Sequence, residues 1–515
     1  MIENAIVLIT LPDYSGNNKS KFFTWDGVTP KPVSLKDLSR HDAPIVTSNF
    51  QFVASEMVRA RVPLPRLVVD IEELVIAVSK NPNITDIREK FSLTEMLSRF
   101  GLDEQSRSAF QKLSCSSGEV DLSLIERVGQ AHVLASKALE RLARIRGEWN
   151  RFVEVEVPSM LLLYEHLLRG ITFRKESLTA YRESIEFDYY KALKEFSAKH
   201  NLPLDVPSKD ELADILADFG FDLHNTSVDF LLKFISLPKN LGEDVLSLRK
   251  LKTTKDALNG ISHKKRKSYP QVLSQGARTS RILLRAPNLQ NIAKKYRGML
   301  VPADGKKLSY IDYDQYEVGI MGALSNDPFL LELYEKDDLY EHFAQALFGS
   351  KKKRKYAKRL FLSYAYGMRK QNLVNAAIDI GGSAAAAKKA FGQFKTFEKW
   401  KKELEKELMS ARKMGTEMGN FFHLQHNKKP TAKEVRSAVS QKVQGTGSLI
   451  FKKALLALPS DRSYRVVLPM HDAVLVEHSA SSDPEVVVKL FEDTLTNFFE
   501  GKIQGKASIS SFASE

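Results

Sequence analysis

The sequence predicts a mixed α/β (α+β) fold divided among several domains. Three observations predict it. The 515 residues suffice for about two to four domains of ordinary size. Short runs of Ile, Val and Leu near the N-terminus and beyond residue 306 have strand character. Between them, apolar residues recur at helical spacing over long stretches. Hydrophobic residues at 43% and charged residues at 27% are ordinary for a folded chain and exclude bulk disorder. A single cysteine, Cys115, excludes a disulfide scaffold and a cysteine-based zinc site, and fits a reducing compartment.

The elements follow in order. Asn4 to Thr10 reads as a buried strand, Phe22 to Trp25 as a second and Pro44 to Val46 as a third. Phe52 to Arg61 has helical spacing, and Leu67 to Val69 is a further short strand. From about Asp86 to Asn150 the pattern is helical, ending in a segment through Leu134, Leu139, Leu142 and Ile145. Residues 1–150 therefore read as a compact α/β domain. Residues 151–260 are mostly helical, His263 to Lys267 is a basic loop, and strands and helices mix again from Lys307. No internal repeat is present. No apolar run approaches the ~20 residues of a membrane span, so no membrane partner is expected. The N-terminus has neither a basic start nor a signal-peptide core, so no signal peptide is expected.

Charge is unevenly placed. Residues 1–150 carry 19 basic and 19 acidic side chains, so the entire net charge of +14 lies in residues 151–515. A polyanionic partner for that part, or solubility alone, accounts for the excess equally well.

Four segments carry candidate chemistry. Lys307 to Asp312 reads as a strand delivering Asp312 to its end, with a helical run, Val318 to Leu324, beyond it. A carboxylate so placed suits Mg²⁺, a hard cation, although most such Asp residues are turn or cap residues. Tyr464 to Met470 and Ala473 to Glu477 read as two strands of a hairpin with His471 and Asp472 at its tip. Arg354, Lys358, Leu362 and Tyr366, each four apart, form one stripe of a helix. Two cations and an aromatic there suit a triphosphate and a base, but a solvated basic helix has the same appearance. Thr279 to Ile292 is an irregular polar segment that periodicity does not interpret.

Together and in this order, these segments resemble family A DNA polymerases, the DNA polymerase I-like group. The family reads T-G-R, P-N-L-Q-N-I, D-Y-S-Q-I-E, R-xxx-K-xxx-F-xxx-Y-G and H-D-E. Here stand Thr279-Ser280-Arg281, Pro287 to Ile292, Asp312 to Glu317, Arg354 to Gly367 and His471-Asp472-Ala473. Leu324 to Asp327, Asp338 to Gly349, and Arg436 with Gln444 to Thr446 are supporting matches. The resemblance covers about residues 150–510.

It implies a right-handed palm, thumb and fingers: thumb over 151–275, palm over 276–335 and 430–515, and fingers over 336–429. Asp312 and Asp472 would hold two Mg²⁺ ions, with Mn²⁺ able to substitute, for in-line attack of a primer 3′-hydroxyl on a dNTP. Arg354 and Lys358 would bind the triphosphate, with Lys358 also assisting catalysis. Tyr366 would lie at the base end, and Glu317 would bar a ribose 2′-hydroxyl. Leu362 and Tyr340 would complete the dNTP site. Arg281, Asn288, Gln290, Arg436, Gln444 and His471 would contact primer–template DNA. Departures from the family are Leu362 for an aromatic, Tyr340 for a phosphate-binding His, and Ser280, Gly319 and Ala473 for Gly, Arg and Glu. Both metal carboxylates are kept, so the expectation is an active polymerase with altered selectivity. The alternatives are a catalytically weak primer–template-binding protein or a polymerase that also accepts rNTPs.

Residues 1–150 resemble the 3′–5′ exonuclease domain, RNase H-like in fold, that precedes many family polymerases. Val46 to Val53 resembles H-N-x-x-x-D, with Ser48 for the His and Val53 for the Asp. Leu67 to Asp70 resembles the segment that follows it. The D-x-E motif would fall on Ile9-Thr10-Leu11, and Y-x-x-x-D near His132 to Ser136, where no carboxylate stands. A degenerate, inactive exonuclease is expected; reading Asp70-Ile71-Glu72 as D-x-E is the competing assignment. No preceding 5′-nuclease domain is expected. A processivity or replisome protein is a further expected partner. Expected surroundings are the cytoplasm of a bacterial or phage-infected cell, including its nucleoid, in a phage, plasmid or repair role.

Overall fold

The structure is a computed structural model of the chain. It describes all residues except 1, 3, 12–19, 81–102, 116–119, 222, 224–226, 337, 426, 462 and 515.

The N-terminal unit is built on a five-stranded sheet. In spatial order its strands are Pro30–Pro32, Lys21–Trp25, Ile6–Leu11, Ile45–Thr47 and Val68–Asp70. The first three run antiparallel, and the last two join Ile6–Leu11 in parallel. Side chains alternate across the sheet, so its two faces meet different partners. Val7, Ile9, Val46 and Val69 pack under the helices Ile71–Val78 and Leu122–Arg146. Ile6, Leu8, Ile45 and Val68 face Phe50, Val53, Met57, Met160 and Leu163, within the main core of the molecule. The sheet is thus fused to the rest of the chain through one whole face. The region around residues 86–102, expected to be helical, lies outside the described residues; Glu104–Cys115 and Leu122–Arg146 are helices, as expected.

The domain boundary expected at residue 150 falls inside a helical run from Trp149 to Leu167. Its beginning, Trp149, Phe152 and Val157, belongs to the N-terminal core; its end, Met160, Leu163 and Leu167, belongs to the main core. The two cores thus share one helical run.

Beyond it, Lys175–His200 and Leu241–Asn259 pair antiparallel, with Lys199 bonded to Asp244 at one end and Arg182 to the Leu258 carbonyl at the other. The segment expected to be an irregular polar stretch, 279–292, holds the strand Leu283–Arg285, which pairs with Gln271–Leu273. Its Ile282, Leu284, Leu289 and Ile292 are buried, so it is a core connection with polar residues between. Lys267, expected in a loop, begins a two-residue strand against Ile171–Thr172.

A four-stranded antiparallel sheet carries the site. Its order is Tyr464–Met470, Ala473–Ser479, Lys306–Tyr313, Ala507–Ser510. Against it pack the helices Val157–Leu167 and Glu485–Phe498, and the latter meets the 25-residue helix Ala432–Leu456, begun by a Thr431–Glu434 capping box. A helical block spans Tyr316 to Ala411, its core an aromatic cluster of Phe343, Phe361, Tyr364, Phe391, Phe394 and Phe397. The hairpin Lys413–Thr416 and Gly419–His423 returns the chain toward the N-terminal unit. No helix among the described residues is long and apolar enough to cross a membrane.

Candidate active site

Strand register brings the two candidate metal carboxylates together. Asp312 lies opposite Ala473, the residue after Asp472, and the Tyr313 N–H donates to the Asp472 carbonyl at 3.4 Å. Residues 160 positions apart in sequence therefore occupy one end of one antiparallel pair. The turn holding Asp472 is tight, and His471 takes a left-handed φ of 57° to close it. Burial pushes the Asp312 carboxyl up to about 7, and the negative charges of Asp472 and Asp314 add to the shift, while Lys358 opposes it. Burial likewise raises Asp472, with Glu317 adding to it and Arg281 and His471 opposing. Two half-buried carboxylates whose ionisation burial opposes, with Asp472 adding to the effect on Asp312, form a site that a hard cation relieves. This donor set fits Mg²⁺. Among the described residues, no group of three or more His, Cys, Asp or Glu is arranged to hold a metal.

Glu317 sits in the first turn of the helix Tyr316–Ser325, just past Asp312. Its carboxylate accepts from Arg281 Nη2 at 2.7 Å and from the Tyr366 hydroxyl at 2.5 Å. Three residues from separate sequence segments are thereby joined. Tyr366, next to Gly367 at the end of the helix Arg354–Ala365, also bonds Gln444. Burial and the Glu317 charge hold its hydroxyl well above its ordinary range, as a neutral donor. Gly367 has φ of 87°, and a Cβ there would come within 2.9 Å of Arg436 Cγ, so the Arg436 stem lies against this turn.

The stripe on Arg354–Ala365 faces this site. Lys358 is exposed and acts electrostatically on Asp312. Arg354 is held by Asp338, accepting its Nε at 3.0 Å, while Asp338 also caps the helix Leu339–Phe348. Arg354, expected to bind a triphosphate, is paired here with a carboxylate. Leu362 is half-buried and packed on the core, not presented as a stacking ring. Tyr340, in the phosphate-binding His position, is buried, with Arg354 and Lys358 above its ring at 5.4 and 5.2 Å from the centroid. It serves as an aromatic floor for both cations.

Of the expected DNA contacts, Gln290 is otherwise engaged and the Asn288 Oδ1 has no hydrogen-bond partner among the described residues. Gln290 is buried; its Nε2 donates to the Ile282 and Pro469 carbonyls, and its Oε1 accepts from Leu284 N–H. It braces the loop against the hairpin strand, and its amide is not presented to a ligand. The Asn288 Oδ1 is likewise buried. Gly319, in place of the family's Arg, is explained by Tyr334: a Cβ at Gly319 would come within 2.7 Å of that ring.

Sequence reasoning missed Asp338 as the Arg354 partner, and missed Lys80 and Asn420 altogether. Lys80 is 3% exposed, and its Nζ donates to Gln275 Oε1, Ser280 Oγ and Asn420 Oδ1 at 3.2, 2.8 and 2.5 Å. A lone lysine between Ser79 and Asn81 carries no sequence signal of burial.

Residues 176–510 match the model of DNA polymerase family A. The chain belongs to DNA polymerase family A. It is 27% identical over 349 residues to DNA polymerase I of Aquifex aeolicus, covering 62% of this chain and 59% of that protein. It is 24% identical over 488 residues to the thermostable DNA polymerase I of Thermus aquaticus, covering 85% and 58% respectively. The chain thus spans a little over half the length of these relatives. In fold it is similar to the POL domain of Pol1 from M. smegmatis, solved in complex with DNA primer-template and dNTP, with a TM-score of 0.76 and 17% identity over 98% of this chain and 95% of that one. The segments from Thr279 to Ala473 that suggested the family all lie within the matched region.

In the N-terminal unit, Val53 is fully buried and Ile9 nearly so. Ser48 Oγ lies 3.3 Å from His132 Nε2, while His132 Nδ1 lies 2.8 Å from the Val128 carbonyl. Asp70 accepts the Phe50 N–H at 2.7 Å and the Glu72 N–H at 2.9 Å. It thereby caps two helices, and burial raises its carboxyl to about 8.

Proposed function

We propose that this family A member is a template-directed DNA polymerase that adds dNTPs to a primer 3′-hydroxyl. The observation that carries the reading is the strand register that sets Asp312 opposite Ala473 and so beside Asp472, faced by Lys358 and by the Arg281–Glu317–Tyr366 cluster. The pair fits two Mg²⁺ ions, Mn²⁺ substituting, which when bound would stabilise the attacking and leaving oxygens of an in-line displacement. Lys358 and Arg354, over the Tyr340 floor, would neutralise the triphosphate. For Arg354 this requires exchanging Asp338 for phosphate oxygens. Glu317, fixed by two hydrogen bonds, would occupy the space of a 2′-hydroxyl, and Tyr366 would stand at the base end. Arg281, Arg436, Gln444 and His471 would track primer–template, with Gln290 and Asn288 shaping the loop behind them. In this reading 151–275 is thumb, 276–335 and 430–515 are palm, and 336–429 is fingers.

We further read the N-terminal unit as a degenerate exonuclease without proofreading. Val53, Ile9 and Leu11 offer no ligand, and both Asp70 oxygens are engaged by backbone amides. The proposed setting is the cytoplasm, with primer–template DNA and dNTPs as partners and a processivity protein as a further one.

The test is extension of a labelled primer–template with the four dNTPs and Mg²⁺. Template-dependent extension by the wild type that is lost in Asp312→Asn is the expected result. No extension by the wild type, with primer–template still bound, would replace this reading with that of a binding protein.

A further inference from the structure

The buried side chain of Lys80 sits where the N-terminal unit meets the candidate active site. An ammonium has three donors, and burying it is costly unless all three are used. Here all three are, on Gln275, Ser280 and Asn420, each at most 2% exposed. The acceptors come from two other parts of the chain, the 271–281 connection and the 413–423 hairpin. The Lys80 backbone joins the same hairpin, its carbonyl accepting the His423 N–H at 3.4 Å. Glu148, from the helical junction, fixes the hairpin from the other side through the N–H groups of Asn420 and Phe421.

Ser280 makes this arrangement specific. It has φ of 57°, a conformation that costs a non-glycine residue on the order of 1 kcal/mol. Glycine would hold the turn without that strain, but it would not supply the hydroxyl that accepts from Lys80 and donates to Asn420 at 3.1 Å. The next residue is Arg281, whose guanidinium holds Glu317, which in turn holds Tyr366. The Asn420 carbonyl accepts from Gln441 Nε2 at 2.5 Å, on the helix that also carries Arg436 and Gln444. Lys80 thus ties together the backbone supports of both groups of residues placed at the primer terminus.

We propose that Lys80 is a positioning residue for nucleotide addition: through the Ser280 hydroxyl and Asn420 it sets the Arg281 turn, making the N-terminal unit part of the polymerase active site's support. The proposal rests on the polymerase reading above. It assigns that unit a role that does not depend on exonuclease chemistry.

The test uses the full chain as wild type, Ser280→Gly, Lys80→Met and the double variant. Steady-state kcat and KM for primer–template and for dNTP are measured together with the melting temperature. Ser280→Gly is the decisive variant: relief of the strained φ offsets part of the acceptor lost to Lys80, so its melting temperature should fall by no more than a few degrees. The expected result is a loss of about ten-fold or more in kcat/KM at that retained stability, the scale of one hydrogen bond to a charged group. Lys80→Met should lose at least as much, and should cost less in the Ser280→Gly background than in the wild type. Ser280→Gly with wild-type kinetics would overturn the proposal, as would full additivity of the two changes. A wild type that does not extend primers fails the polymerase reading itself, an outcome distinct from an active wild type matched by Ser280→Gly.

Discussion

Replacing Glu317 with Ala perturbs two things at once, and a second variant separates them. Its carboxylate accepts from Arg281 at 2.7 Å and from the Tyr366 hydroxyl at 2.5 Å. Each is a hydrogen bond involving a charged partner, worth ~1.5–3 kcal/mol. With Ala, Arg281 loses its anion and the buried Tyr366 hydroxyl keeps only Gln444. Loss of one such contact at the transition state lowers kcat/KM for dNTPs by ~10–100-fold, at about 1.4 kcal/mol per decade. For rNTPs the same loss is offset by removal of the side chain that fills the 2′-hydroxyl space, so the rNTP/dNTP ratio should rise. Glu317→Gln keeps the volume and removes the charge. It should lower dNTP efficiency while leaving the ratio close to wild type. The assay is single-nucleotide incorporation on one primer–template with matched rNTP and dNTP series. An unchanged ratio in Glu317→Ala would place the gate on another residue. An equal rise in Glu317→Gln would show that discrimination is electrostatic and not steric.

Asp312→Asn or Asp472→Asn should abolish nucleotide addition while primer–template affinity, read by fluorescence anisotropy, stays within a few-fold of wild type; robust extension by either would refute the metal assignment. That affinity should fall steeply with salt, with about −0.9 in the log–log slope for each phosphate neutralised on duplex DNA, and a flat dependence would dissociate the +14 charge from DNA binding. A 3′-mismatched primer incubated with Mg²⁺ or Mn²⁺ and no dNTPs should not shorten; shortening that persists in Asp312→Asn and disappears in Asp70→Ala would show an exonuclease centred on Asp70. Burial lowers His132 from its ordinary 6.5 to about 4, so the unfolded chain takes up its proton first as pH falls. The His132 contribution is complete above pH 6.5 and is lost by ~3 kcal/mol as pH falls to about 4; His132→Phe should flatten urea-unfolding stability over that window, and an unchanged slope would contradict a neutral buried imidazole. Lys452→Met should lower stability by ~1.5–3 kcal/mol, because it removes one of two charged donors to the buried Glu156 and leaves Arg151 at 2.8 Å; a change under ~1 kcal/mol would mean that water reaches the pair.

The sequence by itself determined what local pattern and motif order can encode. The strands near residues 6, 21, 45 and 68, the strand ending at Asp312, the hairpin tipped by Asp472 and the Arg354–Tyr366 stripe all carry periodicities or turn residues that act over a few positions. Their joint order was enough to place the chain in its family before any coordinates. Only the tertiary structure decided how side chains are used once they are buried. Nothing near Gln290 signals that its amide bonds three backbone groups, and nothing near Arg354 selects Asp338 as its partner. The boundary expected at residue 150 falls within a helical run that contributes its first turns to one core and its last turns to another, a division set by what packs against it. Lys80 is the clearest case. A lysine in an unremarkable sequence is ordinarily solvated, and its burial follows from three acceptors that lie 195, 200 and 340 residues away and meet only in the folded chain.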